Sequence, residues 1–263
     1  MARVMAGVIC AVVVLAATLI LWTWNDMREA ASPETEILPE PCRTVSFEGA
    51  EHIVCAVDPK KYAVALHRTG VDDMPYERLD RLAAAVQFSF AMNAGMYHED
   101  FSPVGLYVEN GQEIVPLNTE DAAGNFFMKP NGVFFVGKDG TPGVLETSVY
   151  AAANPQVESA TQSGPMLVID GEIHPRFEPD GQSRHVRNGV GIDGEGRAIF
   201  AISRAQVSLG KFARLFRDKL GCANALFFDG AISAMHDGSR YLVGGEFPAG
   251  PIVVVAGRGN PSR

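Results

Sequence analysis

Leu226-Phe227-Phe228-Asp229-Gly230-Ala231-Ile232-Ser233 is the stretch on which the reading of this 263-residue chain turns. Residues 225–228 are four apolar residues in a row, two of them aromatic, which suits a strand buried on both faces, and Asp229-Gly230 then ends it with turn chemistry. A carboxylate at such a strand mouth is half desolvated, where its proton affinity and orientation are tunable for reaction. The dipeptide alone says little. Six Asp-Gly pairs occur, at Asp139, Asp170, Asp180, Asp193, Asp229 and Asp237, and each also suits a hairpin turn.

Upstream of this strand, Ser208 reads as the N-cap of a helix over 209–220, with Phe212, Ala213, Leu215, Phe216 and Leu220 on its apolar side and Gly221 as its stop. Gly189-x-Gly191-x-x-Gly194 satisfies the dinucleotide-binding expression, but that fingerprint needs a helix after the glycines. Here a hairpin and a second strand, 198–203, follow instead, so the nucleotide reading fails. Asn110-Gly111 between 104–108 and 112–117 signals a type I′ hairpin. Leu79, Leu82, Ala83 and Val86 share one face of a helix opened by Asp72-Asp73 and Pro75, and an Ala-rich helix is expected from 149 to Asn154. These patterns predict a single α+β domain, strand-rich, with mixed sheets, hairpins and a few packed helices.

That domain is expected over residues 41–258, with a frayed tail at 259–263. Residues 4–21 are eighteen residues without charge, preceded by Arg3 and closed by Trp22 and Trp24, so 1–24 reads as a membrane anchor or, in the rival reading, a cleaved signal. Residues 25–40, polar and rich in Glu and Pro, form a tether. The expected location is extracytoplasmic, in the periplasm or envelope. Of the 22 basic and 31 acidic residues, Arg3 alone falls within the first 24, and the strongly acidic remainder repels nucleic acid. Cys42 and Cys55 flank a hairpin and can pair in an oxidising compartment, whereas Cys222 reads as a packed thiol.

No Gly-x-Ser-x-Gly elbow is present, and Ser163 in Gln-Ser-Gly-Pro is either a nucleophile or a turn residue. His98, Glu99 and Asp100 in one loop and Asp229, His236 and Asp237 in another offer a weak case for a divalent ion, without His-Glu-x-x-His or tight Cys/His spacing; no cofactor is expected. Arg184, His185, Arg187 and Asn188 form a basic cluster suited to phosphate, or else a solvated strand entry.

Several pieces in order, Asn93-Ala-Gly-Met-Tyr, Asn131-Gly-Val-Phe, Ser163-Gly-Pro-Met-Leu-Val, Arg187-Asn-Gly-Val-Gly-Ile, Phe200-Ala-Ile-Ser203 and Leu226-Phe-Phe-Asp229-Gly, resemble the phosphodiester glycosidase family. The resemblance spans about residues 62–255. It implies hydrolysis of a sugar-1-phosphodiester at the glycosidic bond, with Asp229, Arg187 and Asn93 at the family's polar motif positions as the catalytic set. It also implies that Tyr97, Asn131, Ser163, Gly164, Asn188, Ser203, Gly230 and Ser233 serve substrate binding. One departure is that the family's uncovering-enzyme type reads Asp-Gly-Gly before serine, whereas this chain reads Asp229-Gly230-Ala231-Ile232-Ser233, closer to a bacterial branch of uncertain substrate.

The expected activity is therefore cleavage of a phosphodiester-linked glycoside in an envelope or exported glycan. Asp229 activates water or stabilises the oxocarbenium ion, Arg187 with Asn188 neutralises the leaving phosphate, and Asp100 or Asp193 stands as any second carboxyl. The alternatives are a glycan-binding envelope protein without turnover, in polysaccharide assembly, and a metal-dependent phosphodiesterase that cuts the phosphorus–oxygen bond, with His98, Asp100 and His236 as its candidate ligands.

Overall fold

The run Ala225–Phe228 lies at the centre of the molecule, every one of its residues fully buried, inside a strand that spans Cys222–Asp229. The computed structural model describes residues 36–230 and 232–259. The expected membrane segment, the tether as far as residue 35, Ala231 and the last four residues lie outside the described residues. Among the described residues no helix is long and apolar enough to cross a membrane.

The Cys222–Asp229 strand belongs to a seven-stranded sheet, in the order Cys42–Phe47, Ala50–Val57, Ala198–Ser203, Asn188–Asp193, Cys222–Asp229, Met166–Ile169 and Glu172–Ile173. Two five-stranded sheets accompany it. One runs Tyr241–Val243, Met235–His236, Phe90–Asn93, Ile252–Gly257, Tyr62–His67; the other runs Gln112–Val115, Tyr107–Glu109, Val157–Ser163, Gly132–Gly137, Pro142–Glu146. All pairings in the three sheets are antiparallel. The chain is thus an α+β domain dominated by strands.

Alternation along the strand accounts for the double burial. Leu226 and Phe228 enter a core shared with the other two sheets, where Phe228 meets Phe134 edge-on at 6.2 Å and Phe134 meets Phe200 at 5.6 Å. Ala225 and Phe227 point the other way, onto Phe212, Ala213, Leu215 and Phe216 of a helix. That helix starts where expected, the Ser208 hydroxyl accepting from Lys211 N at 3.2 Å. It is α-helical only over Leu209–Arg214 and continues as a π-turn through Leu215–Lys219, where the wider turn lets both Leu215 and Phe216 face the sheet.

The glycine pattern at 189–194 serves this packing. A β-carbon at Gly191 would stand 2.8 Å from the Phe216 ring and from Cys222 Sγ, and the strand leads by a turn into Ala198–Ser203 with no helix between. Cys222 is buried, and burial together with the Asp193 charge pushes its thiol up to about 12, consistent with a packed, unreactive side chain. Cys42 and Cys55 sit opposite each other in the first hairpin and are disulfide-bonded. Asn110 and Gly111 both take positive φ, 53° and 72°, as a type I′ turn requires. The helix anticipated from Asp72 is shorter, Leu79–Ala85, because Asp73 and Glu77 adopt left-handed backbone and the chain turns through 68–78 instead.

Candidate active site

Three strand ends meet beside Asp229. Asn188 opens its strand directly opposite Asp229 in the seven-stranded sheet, and Asn93 closes the Phe90–Asn93 strand of a neighbouring sheet. The Asn188 amide nitrogen donates to the Asn93 carbonyl at 2.8 Å and to Asn93 Oδ1 at 2.9 Å. Its oxygen accepts from the Asp229 backbone N–H at 3.1 Å. Ser233 Oγ lies 2.8 Å from the Asp229 carbonyl and 3.3 Å from Asn188 Oδ1, and Asn93 Oδ1 also accepts from Ala234 N at 2.9 Å. Both asparagines are buried, so each of these bonds is made in low dielectric, where breaking one leaves a costly orphan. The Asp229–Ser233 turn is thereby clamped to two sheets at once.

The Asp229 side chain is half-buried, and its Oδ1 accepts from Gly230 N at 2.5 Å and Ile232 N at 3.4 Å. Both N–H groups are directed at one oxygen, which fixes the orientation of the carboxylate. Arg187 lies behind the turn, only 1% exposed. Its guanidinium sits 5.3 Å from the Phe227 ring centroid and donates from Nε to the Val207 carbonyl and from one terminal nitrogen to the Ser183 carbonyl, both at 2.8 Å. Burial pulls its pKa down to about 10, the negative charge of Asp229 opposing that shift, so it remains a cation at neutral pH. The other terminal nitrogen, Nη1, is 3.1 Å from where a β-carbon on Gly230 would be, so glycine at this position leaves open the space next to the charge. Tyr97 donates its hydroxyl to the Pro248 carbonyl at 2.7 Å, and burial, reinforced by Asp229, raises it well above the ordinary phenol range.

Arg187 and Asn188 adjoin in sequence but diverge in space, since successive residues face opposite sides of a sheet. Asn188 enters the network with Asn93, while Arg187 lies on Phe227 on the helix side. Arg184 leaves the expected cluster to pair with Asp180 at 2.9 Å. Ser203 accepts from Arg187 N at 2.9 Å, which steadies the arginine's backbone. Ser163 donates to the Phe228 carbonyl at 3.0 Å and is fully buried, tying a neighbouring sheet to the residue before Asp229. Gly164 and Asn131 pack together: a β-carbon at Gly164 would be 2.7 Å from Asn131 Cβ, and Asn131 bonds Phe126 and Thr147.

The second-carboxyl candidates are placed differently. Asp193 lies at the opposite end of the strand that Asn188 begins, about 17 Å along it at ordinary strand rise, and its carboxylate is taken up by Arg197 at 2.7 Å. It is thus no partner for Asp229. Asp100 closes its own loop on Ser102 N and Oγ. His236 accepts from Gly238 N and packs edge-on against Tyr241, and His98 binds Ser102 through its backbone. Among the described residues no three His, Cys, Asp or Glu side chains gather into a metal-ligand group, His98, Asp100 and His236 included.

A cavity of about 220 Å³ opens next to Gly230 and Ser233, with His185, Gln206, Glu246 and Phe247 on its walls. Sequence reasoning missed the last three. The available signal was the Gly244-Gly245-Glu246-Phe247-Pro248 run between the Tyr241–Val243 and Ile252–Gly257 strands, a loop with breakers at both ends and unlike chemistry between.

An antiparallel α+β domain with a clamped Asp229 turn over a buried arginine defines a class that comparison identifies. The family model for phosphodiester glycosidase matches residues 87–243. The uncharacterized protein YigE of Escherichia coli (strain K12) is 37% identical over 196 residues, covering 73% of this chain and 74% of that protein. The chain belongs to the phosphodiester glycosidase family. Its fold is similar to the catalytic domain of zebrafish N-acetylglucosamine-1-phosphodiester alpha-N-acetylglucosaminidase, with a TM-score of 0.60 at 15% identity over 86% of this chain and 85% of that one. A hypothetical protein from Synechocystis is similar at a TM-score of 0.55 and 14% identity, covering 81% of this chain and 61% of that one.

Proposed function

We propose that this chain hydrolyses the glycosidic bond of a sugar-1-phosphodiester, with Asp229 as general base. The observation that carries this reading is the Asp229 carboxylate held by Gly230 N–H at the mouth of a buried strand, with the Arg187 cation behind it. In the proposed reaction a water oxygen bonds to the anomeric carbon as the bond from that carbon to the phosphate oxygen breaks. The phosphate monoester departs with the bonding pair, and Asp229 takes the water proton. A phosphate leaving group is a weak base, so protonation by a second carboxyl is not demanded as it is for an ordinary glycoside. Arg187 acts mainly through its field: two of its nitrogens are spent on backbone carbonyls, and Nη1 behind Gly230 faces the place where the phosphate would gather charge. Tyr97, with its proton committed to Pro248, serves as a neutral wall.

The same reading places the reaction outside the cytoplasm, on an envelope or exported glycan, with the domain tethered by the apolar segment at residues 4–21. The bonded pair Cys42–Cys55 supports it, since such bonds persist in oxidising compartments. Hydrolysis of a hexose 1-(methyl phosphate) in H₂¹⁸O tests the chemistry. The label is expected in the released sugar; label in the phosphate overturns the glycosidase in favour of phosphorus–oxygen cleavage. Fractionation of cells expressing the full chain tests the location, with the protein expected in the membrane fraction and accessible to protease from the outer side.

A further inference from the structure

We infer that the cavity beside Gly230 is the glycosyl subsite, that it accepts one neutral pyranose, and that Glu246 and Phe247 make that selection. The inference rests on the glycosidase reading for the position of the phosphate, and on the walls of the cavity for everything else. At about 220 Å³ the hollow is smaller than the ~300–1,000 Å³ usual for larger organic ligands, which suits one sugar ring and not two.

Its walls carry the two elements that recognise a pyranose. Phe247 is 57% exposed, a large apolar face kept in water at the edge of the cavity instead of in a core. An aromatic face so placed stacks on the axial C–H bonds of a sugar ring, an apolar surface that hydroxyl-binding groups leave uncovered. Glu246, next to it, is exposed and forms no hydrogen bond or ion pair among the described residues. A carboxylate is an acceptor-only group with two oxygens, so it takes a pair of vicinal hydroxyls and repels an acidic substituent. Gln206, also on the wall, adds a neutral amide, donor and acceptor together.

The loop that presents them is held on both sides. A β-carbon at Gly244 would come within 2.3 Å of the Ser233 carbonyl, so the loop sits directly on the Asp229–Ser233 turn, and the Tyr97 hydroxyl holds Pro248 at the far side. Gly244 and Gly245 both adopt positive φ, 65° and 100°, which turns the chain to bring Glu246 and Phe247 to the cavity. Pinning the loop to the reacting turn couples sugar binding to the position of Asp229. The selectivity follows from charge: among the described residues Glu246 is the one acidic side chain on the wall, so a uronic acid ring brings like charges together where a neutral hexose does not.

The test uses the full chain carrying Asp229→Asn, so that binding is read apart from turnover, with saturation-transfer NMR on methyl hexopyranosides of gluco, galacto, manno and N-acetylgluco configuration and on the corresponding methyl uronides. At least one neutral ring is expected to bind at least about tenfold more tightly than its uronide. Adding Glu246→Gln should erase most of that difference, and adding Phe247→Ala should weaken the neutral ring by about tenfold with the melting temperature unchanged. Equal binding of both series, no binding of any neutral ring, or selectivity untouched by Glu246→Gln overturns the inference. A wild-type protein that shows the selectivity but releases no sugar from any hexose 1-(methyl phosphate) leaves the subsite standing and removes the glycosidase reading.

Discussion

The Asn188 amide nitrogen donates to both the carbonyl and the side-chain oxygen of Asn93, at 2.8 and 2.9 Å, and so joins two sheets directly beside Asp229. The backbone on either side of this turn is thus held by a pair of neutral amides, Asn188 on Asp229 N and Asn93 on Ala234 N. Replacing Asn188 by Ala leaves the Asp229 N–H and the Asn93 oxygens short of partners, with an expected cost of about 2–4 kcal/mol in urea unfolding and a fall in kcat larger than the change in KM. An Asn188→Ala protein with full turnover would show that the clamp does not serve catalysis.

Asp229→Asn keeps the size of the side chain and removes the proposed base. Turnover should drop about 10²- to 10⁴-fold, the range for a positioned general base, while circular dichroism and melting stay close to wild type. Undiminished turnover of a hexose 1-(methyl phosphate) would remove Asp229 from the mechanism.

Gly230→Ala tests the space in front of Arg187. The added methyl would meet Arg187 Nη1 and the Phe227 ring at 3.1 Å, a crowding relieved by small shifts, and Gly230 is not among the positions of positive φ. The fold should therefore survive while kcat/KM falls by about 10- to 100-fold, since small misplacements at a reacting centre are expensive. Arg187→Lys retains the charge without the fork and should recover only part of the activity lost in Arg187→Ala.

His52 gives a pH prediction. Its ring is fully buried, with no hydrogen-bond partner for either nitrogen, and burial together with Lys211 pulls its pKa from 6.5 to about 4. The folded protein favours the neutral ring, so the unfolded chain binds more protons between those values. The stability contributed is complete above pH 6.5 and is lost as pH falls toward 4, by up to about 3 kcal/mol. Urea unfolding across that window should show His52→Leu with a flatter pH dependence than wild type; parallel curves would refute it.

The disulfide should matter for stability and not for chemistry. Cys42→Ser opens a bond at the outer edge of the seven-stranded sheet, and unfolding should become easier by about 3 kcal/mol, the value for a loop of this size. Turnover at a temperature where the variant is folded should be retained. Loss of turnover in a folded variant would connect this edge to the site.

Much of the fold was legible because its signals are local. Four apolar residues before Asp-Gly mark the buried strand, Asn110-Gly111 marks its hairpin by backbone sterics, and Ser208 marks a helix start by offering an acceptor to an unpaired N–H. The site was legible only in part. Asp229, Arg187 and Asn93 were named from ordered motifs, yet nothing in those motifs says that Asn188 would turn toward Asn93 while Arg187 turned toward Phe227. Asp193, which stood with Asp100 as a candidate for any second carboxyl, lies away from Asp229 because a strand has two ends, and which end meets the turn is a matter of register.

The amino-acid sequence by itself determined that a buried strand would end in the Asp229 carboxylate and that Cys42 and Cys55 would stand opposite each other in a hairpin. Those outcomes depend on neighbours a few residues apart, through turn sterics and side-chain alternation. Only the tertiary structure decided that Asn93 and Asn188, 95 residues apart, would clamp the backbone that carries that carboxylate, and that Glu246 and Phe247 would wall the cavity beside Gly230. Such meetings depend on how sheets pack, a sum over the many side chains of a shared core that no short stretch of sequence carries.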